Sequence, residues 1–216
     1  MALLHRATLT PSKLELIQHY LPSQPWGPAG AGAPLELLGS YRFDDPDGEV
    51  GLEAHLVSDG ERVCHVPLSY RGAPLPGAEA WLVGTMEHSV LGTRWVYDGC
   101  ADSVFLTAFA TAMLTGGQQA EQFVEVDGAL EPRPSTAAVQ GSGGSEAVPI
   151  IASPQWPVTA GTLARVTAAG LALQIARLVD AADAPEGQWT LTGRWSGLVE
   201  PVRLAAASLV GSSLVD

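Results

Sequence analysis

The sequence predicts an α+β fold that is mostly antiparallel β: a curved sheet packed on one main helix, with a second β-rich section after it. In the first half, several strand-like segments are separated by short turn sequences, and an apolar helix follows at residues 103–114. In the second half, apolar and polar residues alternate at 188–195 (QWTLTGRW), which is typical of a strand with one buried face.

A short helix is predicted near the N-terminus, beginning at Thr10-Pro11. Thr10 can accept hydrogen bonds from the free amides of the first turn, and proline suits the first helical position. The apolar residues of this helix share one face; they are Leu14, Ile17 and Leu21.

Strand-like segments follow at residues 35–43, 49–57, 62–70, 78–85, 93–97 and 122–126. The sequence DDPDG at 44–48 favours a turn, and Asp59-Gly60 between two strands predicts a hairpin. If those two residues alone form the turn, His55 lies opposite Cys64.

The main helix is predicted at residues 103–114, with Asp102 as its N-cap and Gly116 beyond its end. Apolar side chains occupy much of its circumference. We therefore expect it to pack across the face of a sheet instead of lying on the surface.

Composition divides the chain into an α+β domain at 1–130, a Pro/Gly/Ser-rich linker at 131–147 and a β-rich C-terminal section at 148–216. The backbone amides of GSGGS at 141–145 could hold a phosphate group. Because no strand–helix context or lysine accompanies this sequence, a flexible linker is the favoured interpretation.

The chain carries a net charge of −12, and Lys13 is its only lysine. This acidity argues against a nucleic-acid partner, and no apolar run is long enough for a membrane-spanning helix. No secretory signal is recognisable, so a cytoplasmic location is expected, with both cysteines free. The use of arginine in place of lysine suggests a GC-rich genome.

The common signatures of nucleotide binding and catalysis are absent from the sequence. It has no P-loop, no dinucleotide-binding glycine pattern, no kinase catalytic loop, no nucleophile elbow and no H-E-x-x-H zinc motif. No cofactor or metal site is predicted, and the sequence favours a protein without catalytic activity while leaving the question open.

The densest group of candidate functional residues lies at 82–99 (LVGTMEHSVLGTRWVYDG). The adjacent pair Glu87 and His88 could act as an acid and base or as ligands. With no nucleophile or third ligand evident, a structural role in a loop is favoured over that reading. Arg94 is expected to face a partner or ligand together with this pair.

Trp95 and Tyr97 are expected to share the face of the strand opposite Arg94, where they could stack on a sugar or anchor the core; the core is favoured. Asp98 could bind a ligand, but it precedes a helix, where carboxylates commonly act as caps. The six candidate binding residues are therefore Glu87, His88, Arg94, Trp95, Tyr97 and Asp98.

Two further groups of residues are weaker candidates for a binding site. His55, Cys64 and His65 suggest a metal site, but adjacent strand residues point to opposite faces, so Cys64 and His65 cannot converge on one ion without a bulge. Trp189 and Trp195 share a face that could form a carbohydrate platform or a core, and the core is favoured.

The order of several short motifs resembles the N-terminal cap region of actinobacterial maltokinases and related aminosugar kinases. The motifs are YLPSQPW at 20–26, HVPL at 65–68 and VYDG at 96–99 before a helix. The similarity covers roughly residues 10–115. Pro25 stands where the family usually has arginine, and the HVPL segment lacks the family's tyrosine.

The resemblance implies trehalose, maltose, α-glucan or aminosugar metabolism, but it implies no reaction, because the kinase-like catalytic lobe has no counterpart in this sequence. The leading hypothesis is a non-catalytic interaction or regulatory module for a sugar kinase or α-glucan enzyme. The alternatives are a sugar or aminosugar binding protein and a subunit of a split ATP-dependent kinase or transferase. The oligomeric state is left open.

Overall fold

The computed structural model describes residues 2–4, 7–28, 34–126, 129–145, 148–179 and 182–211. Two α-helices occur in these parts of the chain, α1 (Lys13–Tyr20) and α2 (Ser103–Thr115). The strands are β1 (Ala2–Leu4), β2 (Leu9–Thr10), β3 (Glu36–Phe43), β4 (Gly51–Ser58), β5 (Val63–Arg71), β6 (Leu82–His88), β7 (Gly92–Asp98), β8 (Gln122–Val126), β9 (Ala129–Arg133), β10 (Ala137–Gly141), β11 (Val158–Ala160), β12 (Leu163–Ala168), β13 (Leu171–Ala176), β14 (Trp189–Trp195) and β15 (Val202–Leu209).

The strands form two six-stranded antiparallel sheets and one small sheet. The first sheet has the order β2-β6-β7-β5-β4-β3 and the second the order β10-β14-β15-β13-β12-β11. In the small sheet, β8 lies between β1, to which it is parallel, and β9. The predicted α+β class, mostly antiparallel with a second β-rich section, is confirmed. None of the described helices is long and apolar enough to cross a membrane.

The first sheet is covered on both faces. Leu16 and Ile17 of α1 are buried against one face in a cluster that includes Val66 and Val96. The opposite face contributes to a larger cluster with α2 and the second sheet. Phe109 of α2 packs edge-on against Phe43 at 5.6 Å between ring centroids. The main helix is thus buried against sheets, as its apolar circumference predicts.

A capping box begins α1 at Ser12, two residues later than the sequence predicts. The Ser12 hydroxyl accepts from the Glu15 amide at 3.3 Å, and the Glu15 carboxylate accepts from the Ser12 amide at 2.7 Å. This reciprocal pair satisfies amides that Thr10 was expected to cap.

The register of the β4–β5 hairpin differs from the prediction. His55 pairs with Val66, and the loop has four residues, 59–62, instead of two. Its geometry is set by Asp59, whose carboxylate accepts from the amides of Glu61 and Arg62 at 3.0 and 2.8 Å. A side chain that bonds its own loop backbone in this way stabilises a turn wider than a two-residue one.

Part of the predicted linker at 131–147 is ordered β structure, which corrects that expectation. Residues 137–141 form β10 at the edge of the second sheet, with alternate residues buried. The amides of Gly143 and Ser145 donate to the carbonyls of Met113 and Leu114 at 2.9 and 3.0 Å. The glycine-rich segment therefore satisfies free carbonyls at the end of α2, which composition alone does not reveal.

Candidate functional site

The hairpin formed by β6 and β7 carries the predicted binding residues but distributes them over three surroundings. Glu87 is exposed, and its carboxylate accepts from the Thr93 hydroxyl at 2.8 Å across the strand pair. The Nδ1 atom of His88 accepts from the amides of Val90 and Leu91 at 3.2 and 3.1 Å. Both residues thus stabilise the hairpin, the structural role favoured from the sequence.

Arg94 has a guanidinium that is only partly satisfied by hydrogen bonds. It donates through Nη2 to the carbonyl of Leu91, while its Nε atom is buried without a hydrogen-bond partner. A Cβ built on Gly72 would lie 3.1 Å from Nη1 of Arg94. The absence of a side chain at Gly72 lets this guanidinium lie against the backbone of the loop after β5.

Trp95 and Tyr97 occupy alternate positions of β7, so they share a face. Tyr97 is buried, and its hydroxyl accepts from the Leu75 amide at 2.9 Å. Trp95 is half-buried. Tyr97 therefore anchors the loop after β5 instead of offering its ring to a ligand.

Asp98 lies in the interior and has three kinds of partner. It accepts from both terminal nitrogens of Arg177, at 3.0 and 2.5 Å, and from the hydroxyl of Tyr20 at 3.2 Å. It also accepts from the Cys100 amide at 3.0 Å and so caps the 3₁₀ turn Gly99–Ala101. The capping role favoured from the sequence is present, and the ion pair is an addition that the sequence analysis missed.

The long-range partner Arg177 gives only a weak signal in the sequence. It is a lone charge at the end of an apolar strand (LALQIAR), which could equally have marked the beginning of an exposed loop. Burial alone would lower the pKa of Arg177, but the charge and hydrogen bonds of Asp98, together with Cys100 and Tyr20, outweigh it and raise the pKa. Arg177 also lies over the ring of Trp26, 5.0 Å from its centroid.

The two histidines of the metal site considered from the sequence, His55 and His65, both form hydrogen bonds inside the protein. His55 bonds the Tyr70 hydroxyl at 3.0 Å, and His65 bonds the Tyr41 hydroxyl at 2.8 Å and the Ala176 carbonyl at 2.9 Å. Within the described residues, no group of three histidine, cysteine or acidic side chains could hold an ion.

The aromatic pair of the second sheet is likewise part of the interior. Trp189 and Trp195 are both buried in the larger cluster, together with Leu191 and Leu204. Their rings fill the core of the second β layer, as favoured from the sequence, and leave little surface for a sugar.

His88 and Arg94 line an open groove of about 1270 Å³, whereas the other four candidates do not line it. The groove lies between the β3–β4 turn, the loop after β5 and the β6–β7 hairpin. It is lined by five of the eleven lysine and arginine residues in an acidic chain. These five are Lys13, Arg42, Arg71, Arg94 and Arg133.

Two carboxylates form ion pairs with three of these cations. Glu53 pairs with Lys13 and with Arg42, the latter at 3.3 Å. Burial would raise the Glu53 pKa, but the charges of Lys13, His55 and Arg42 outweigh it and hold the pKa at about 2. Arg71 forms a bidentate pair with Asp102, at 2.6 and 2.7 Å.

Asp102 has a second function as the N-cap of α2, because it also accepts from the Val104 amide at 3.0 Å. Arg94 and Arg133 are the two groove cations without a carboxylate partner in the described structure. Three acidic residues, Asp44, Asp45 and Glu49, also line the groove, so its charge is mixed. Arg94 and Arg133 are the lining cations whose charge could pair with an acidic group.

Residues 20–102 match the family model of the maltokinase N-terminal cap domain. We call this stretch the cap-like region, because it is similar to a maltokinase N-terminal cap. It extends from the last residue of α1 to Asp102, the N-cap of α2, and it contains β3 to β7. The resemblance drawn from the short motifs is thereby confirmed. No curated protein matches the chain.

The cap-like region contributes most of the groove, including Arg42, Arg71 and Arg94. Lys13 comes from before the matched stretch and Arg133 from after it. The Asp98–Arg177 pair likewise joins the cap-like region to the unmatched second section. Both features thus combine cap-like residues with residues particular to the rest of this chain.

Proposed function

We propose that this protein is a non-catalytic interaction or regulatory module in α-glucan metabolism, working with a maltokinase-type sugar kinase or another enzyme of the same pathway. The observation that carries the proposal is that three carboxylates of the cap-like region form internal ion pairs. Asp98, Glu53 and Asp102 are committed to internal ion pairs. Carboxylates held in this way stabilise a fold and are poorly placed to exchange protons with a substrate.

The groove is the surface we assign to the partner enzyme. An acidic segment of the partner would meet Arg94 and Arg133, whose charges lack a carboxylate partner in the described structure. Charge complementarity of this kind would raise the association rate and select the partner. We place this interaction in the cytoplasm and in trehalose- or maltose-linked metabolism, which the similarity to a maltokinase cap supports.

The test is co-purification with a maltokinase, together with the rate of maltose phosphorylation in the presence and absence of the protein. We expect the wild-type chain to retain the enzyme or change its rate, and the charge-reversed variant R94E/R133E to weaken retention at least tenfold. The matched control is R194E, because Arg194 is an exposed arginine of β14 outside the groove. No retention and an unchanged phosphorylation rate would refute the proposal.

The alternative function, a subunit of a split kinase, is distinguished from a regulatory role by an assay of the purified chain alone. The purified chain is expected to release no ADP from ATP when maltose or glucosamine is present. Phosphate transfer by the chain alone would replace the regulatory proposal with an enzymatic one.

A further inference from the structure

Two tryptophans from distant parts of the chain are stacked at the surface. The rings of Trp81 and Trp156 lie 4.3 Å apart between centroids, with an interplanar angle of 18°. Trp81 belongs to the 3₁₀ turn before β6, and Trp156 to the segment before β11. Of the six tryptophans in the chain, only Trp156 is exposed; 45% of its surface is accessible.

The backbone on both sides of the pair is fixed, so the exposed ring is held in place. Glu79 accepts from the Gly77 amide at 3.0 Å, which stabilises the turn that carries Trp81. The Gln155 amide donates to the Thr167 carbonyl at 3.0 Å, which ties the residue next to Trp156 to β12. A ring ordered in advance loses little conformational entropy when a ligand binds.

The open side of Trp156 offers a flat apolar surface about as wide as one sugar ring. Trp81 covers one face of the indole, and Gly77 lies near its edge, where a built Cβ would be 3.6 Å from Cζ2. The remaining exposure therefore falls on the opposite face and the other edges. An aromatic face carries partial negative charge, which attracts the polarised C–H groups on the face of a pyranose ring.

The residues close to the two tryptophans in the sequence favour a neutral ligand. Glu79 and Gln155 are exposed there, and their side chains can form hydrogen bonds with hydroxyl groups. With an acidic side chain here and a net charge of −12, phosphorylated sugars are disfavoured. A neutral hexose fits both the ring and its surroundings.

We infer that the Trp81–Trp156 pair is a carbohydrate-binding platform that takes a glucosyl unit of an α-1,4-glucan chain. The choice of glucan over other neutral sugars rests on the proposed function. The platform itself rests on the stacking of the two rings and on the exposure of Trp156. It lies outside the groove assigned to the partner enzyme, since neither tryptophan lines that groove. The protein would hold a glucan and an enzyme at separate surfaces.

Affinity electrophoresis in gels containing amylose, together with calorimetric titration of maltoheptaose, tests the inference on the full chain. We expect retardation of the wild type, at least a tenfold weaker affinity for W156A, and partial retention of affinity in W156F. The matched control is I150A, because Ile150 is 83% exposed in the same segment and is not part of the stack.

Equal affinity of the wild type and W156A for maltoheptaose would overturn the platform. Equal affinity of the wild type for cellohexaose and maltohexaose would overturn the α-glucan assignment. Loss of kinase retention in W156A without any amylose binding by the wild type would identify the pair as a protein contact instead. Absent amylose binding with intact kinase retention refutes this inference and leaves the proposed function standing.

Discussion

Arg177 and Asp98, 79 residues apart in the chain, form a bidentate ion pair inside the protein. Both side chains are almost fully buried, at 2% and 3% exposure. The neighbouring residues extend the contact: the His65 amide donates to the Arg177 carbonyl, and the Val179 amide donates to the Val63 carbonyl. The second section is thus joined to the cap-like region through both an ion pair and strand-like backbone bonding.

Breaking this pair from one side is expected to destabilise the protein strongly. In R177M or D98N, one charged group loses its charged partner inside the protein, which costs about 3–5 kcal/mol in the free energy of unfolding. Urea unfolding followed by circular dichroism measures the loss. The double variant D98N/R177M should recover part of it, because no unpaired charge then remains.

The control for this prediction is R62A, which removes a more exposed ion pair with Asp59. Such pairs contribute under about 1 kcal/mol. A loss in R177M no larger than in R62A would show that the buried pair does not hold the sections together.

Acidification is expected to destabilise the fold well before its carboxylates are protonated. Burial lowers the pKa of both His55 and His65 to about 4, against an ordinary value of 6.5. The unfolded chain therefore binds more protons than the folded one below pH 6.5, so the stabilisation is complete above that pH. It is lost as the pH falls toward 4, by up to about 1.4 kcal/mol per pH unit for each histidine.

Urea unfolding at pH 7, 6 and 5 measures this dependence, and H65Q or H55Q should each reduce the slope by about half. Glu53 affects stability in a lower pH range. Because its pKa is about 2, its contribution to the free energy of unfolding is lost only below pH 4.5. An unchanged slope in both buried-histidine variants would contradict the prediction.

Gly141 is expected to tolerate no side chain. A Cβ at this position would lie 1.8 Å from the Ala112 carbonyl oxygen at the end of α2. G141A should therefore lower the free energy of unfolding by about 3 kcal/mol, through displacement of β10 from the helix. Differential scanning calorimetry measures the shift in Tm.

The comparison for Gly141 is G51A, also in a strand. A Cβ there would approach only the Tyr70 Cβ closely, at 3.3 Å, so its cost should stay under about 1 kcal/mol. If G141A unfolds at the same temperature as the wild type and G51A, β10 does not pack closely on α2 and the prediction is contradicted.

Both cysteines should be unreactive in the folded protein. Cys64 and Cys100 are free and buried. Burial raises the pKa of the Cys64 thiol to about 11 and also raises that of Cys100, so little reactive thiolate forms at neutral pH. A colorimetric thiol assay should detect none in buffer and two in guanidinium chloride; one fast-reacting thiol in buffer would contradict this.

Local sequence patterns predicted the elements well, since alternation and capping depend on neighbours in the chain. The strand at 122–126 coincides with β8, and the helix predicted at 103–114 differs from α2 by one residue. The N-cap of α1 and the β4–β5 register were wrong because specific side-chain bonds of Ser12 and Asp59 outweigh general turn preferences.

The site was less predictable because its partners are distant in the sequence. The capping role of Asp98 follows from its neighbours, but Arg177 can be paired with it only once the second section is placed. The glycine-rich segment looked flexible because composition does not show that Gly143 finds its acceptor on α2. The Trp81–Trp156 pair is invisible for the same reason.

The late position of the second sheet also has a consequence for how the chain emerges from the ribosome. The face of the first sheet that carries Tyr41 and Leu52 shares its core with β14 and β15, which are synthesised well after it. At usual translation rates, the 83 residues between the end of β8 and the end of β15 take roughly 4–17 seconds to appear. During that interval the nascent chain presents an apolar surface, and we expect chaperone dependence to be greatest then.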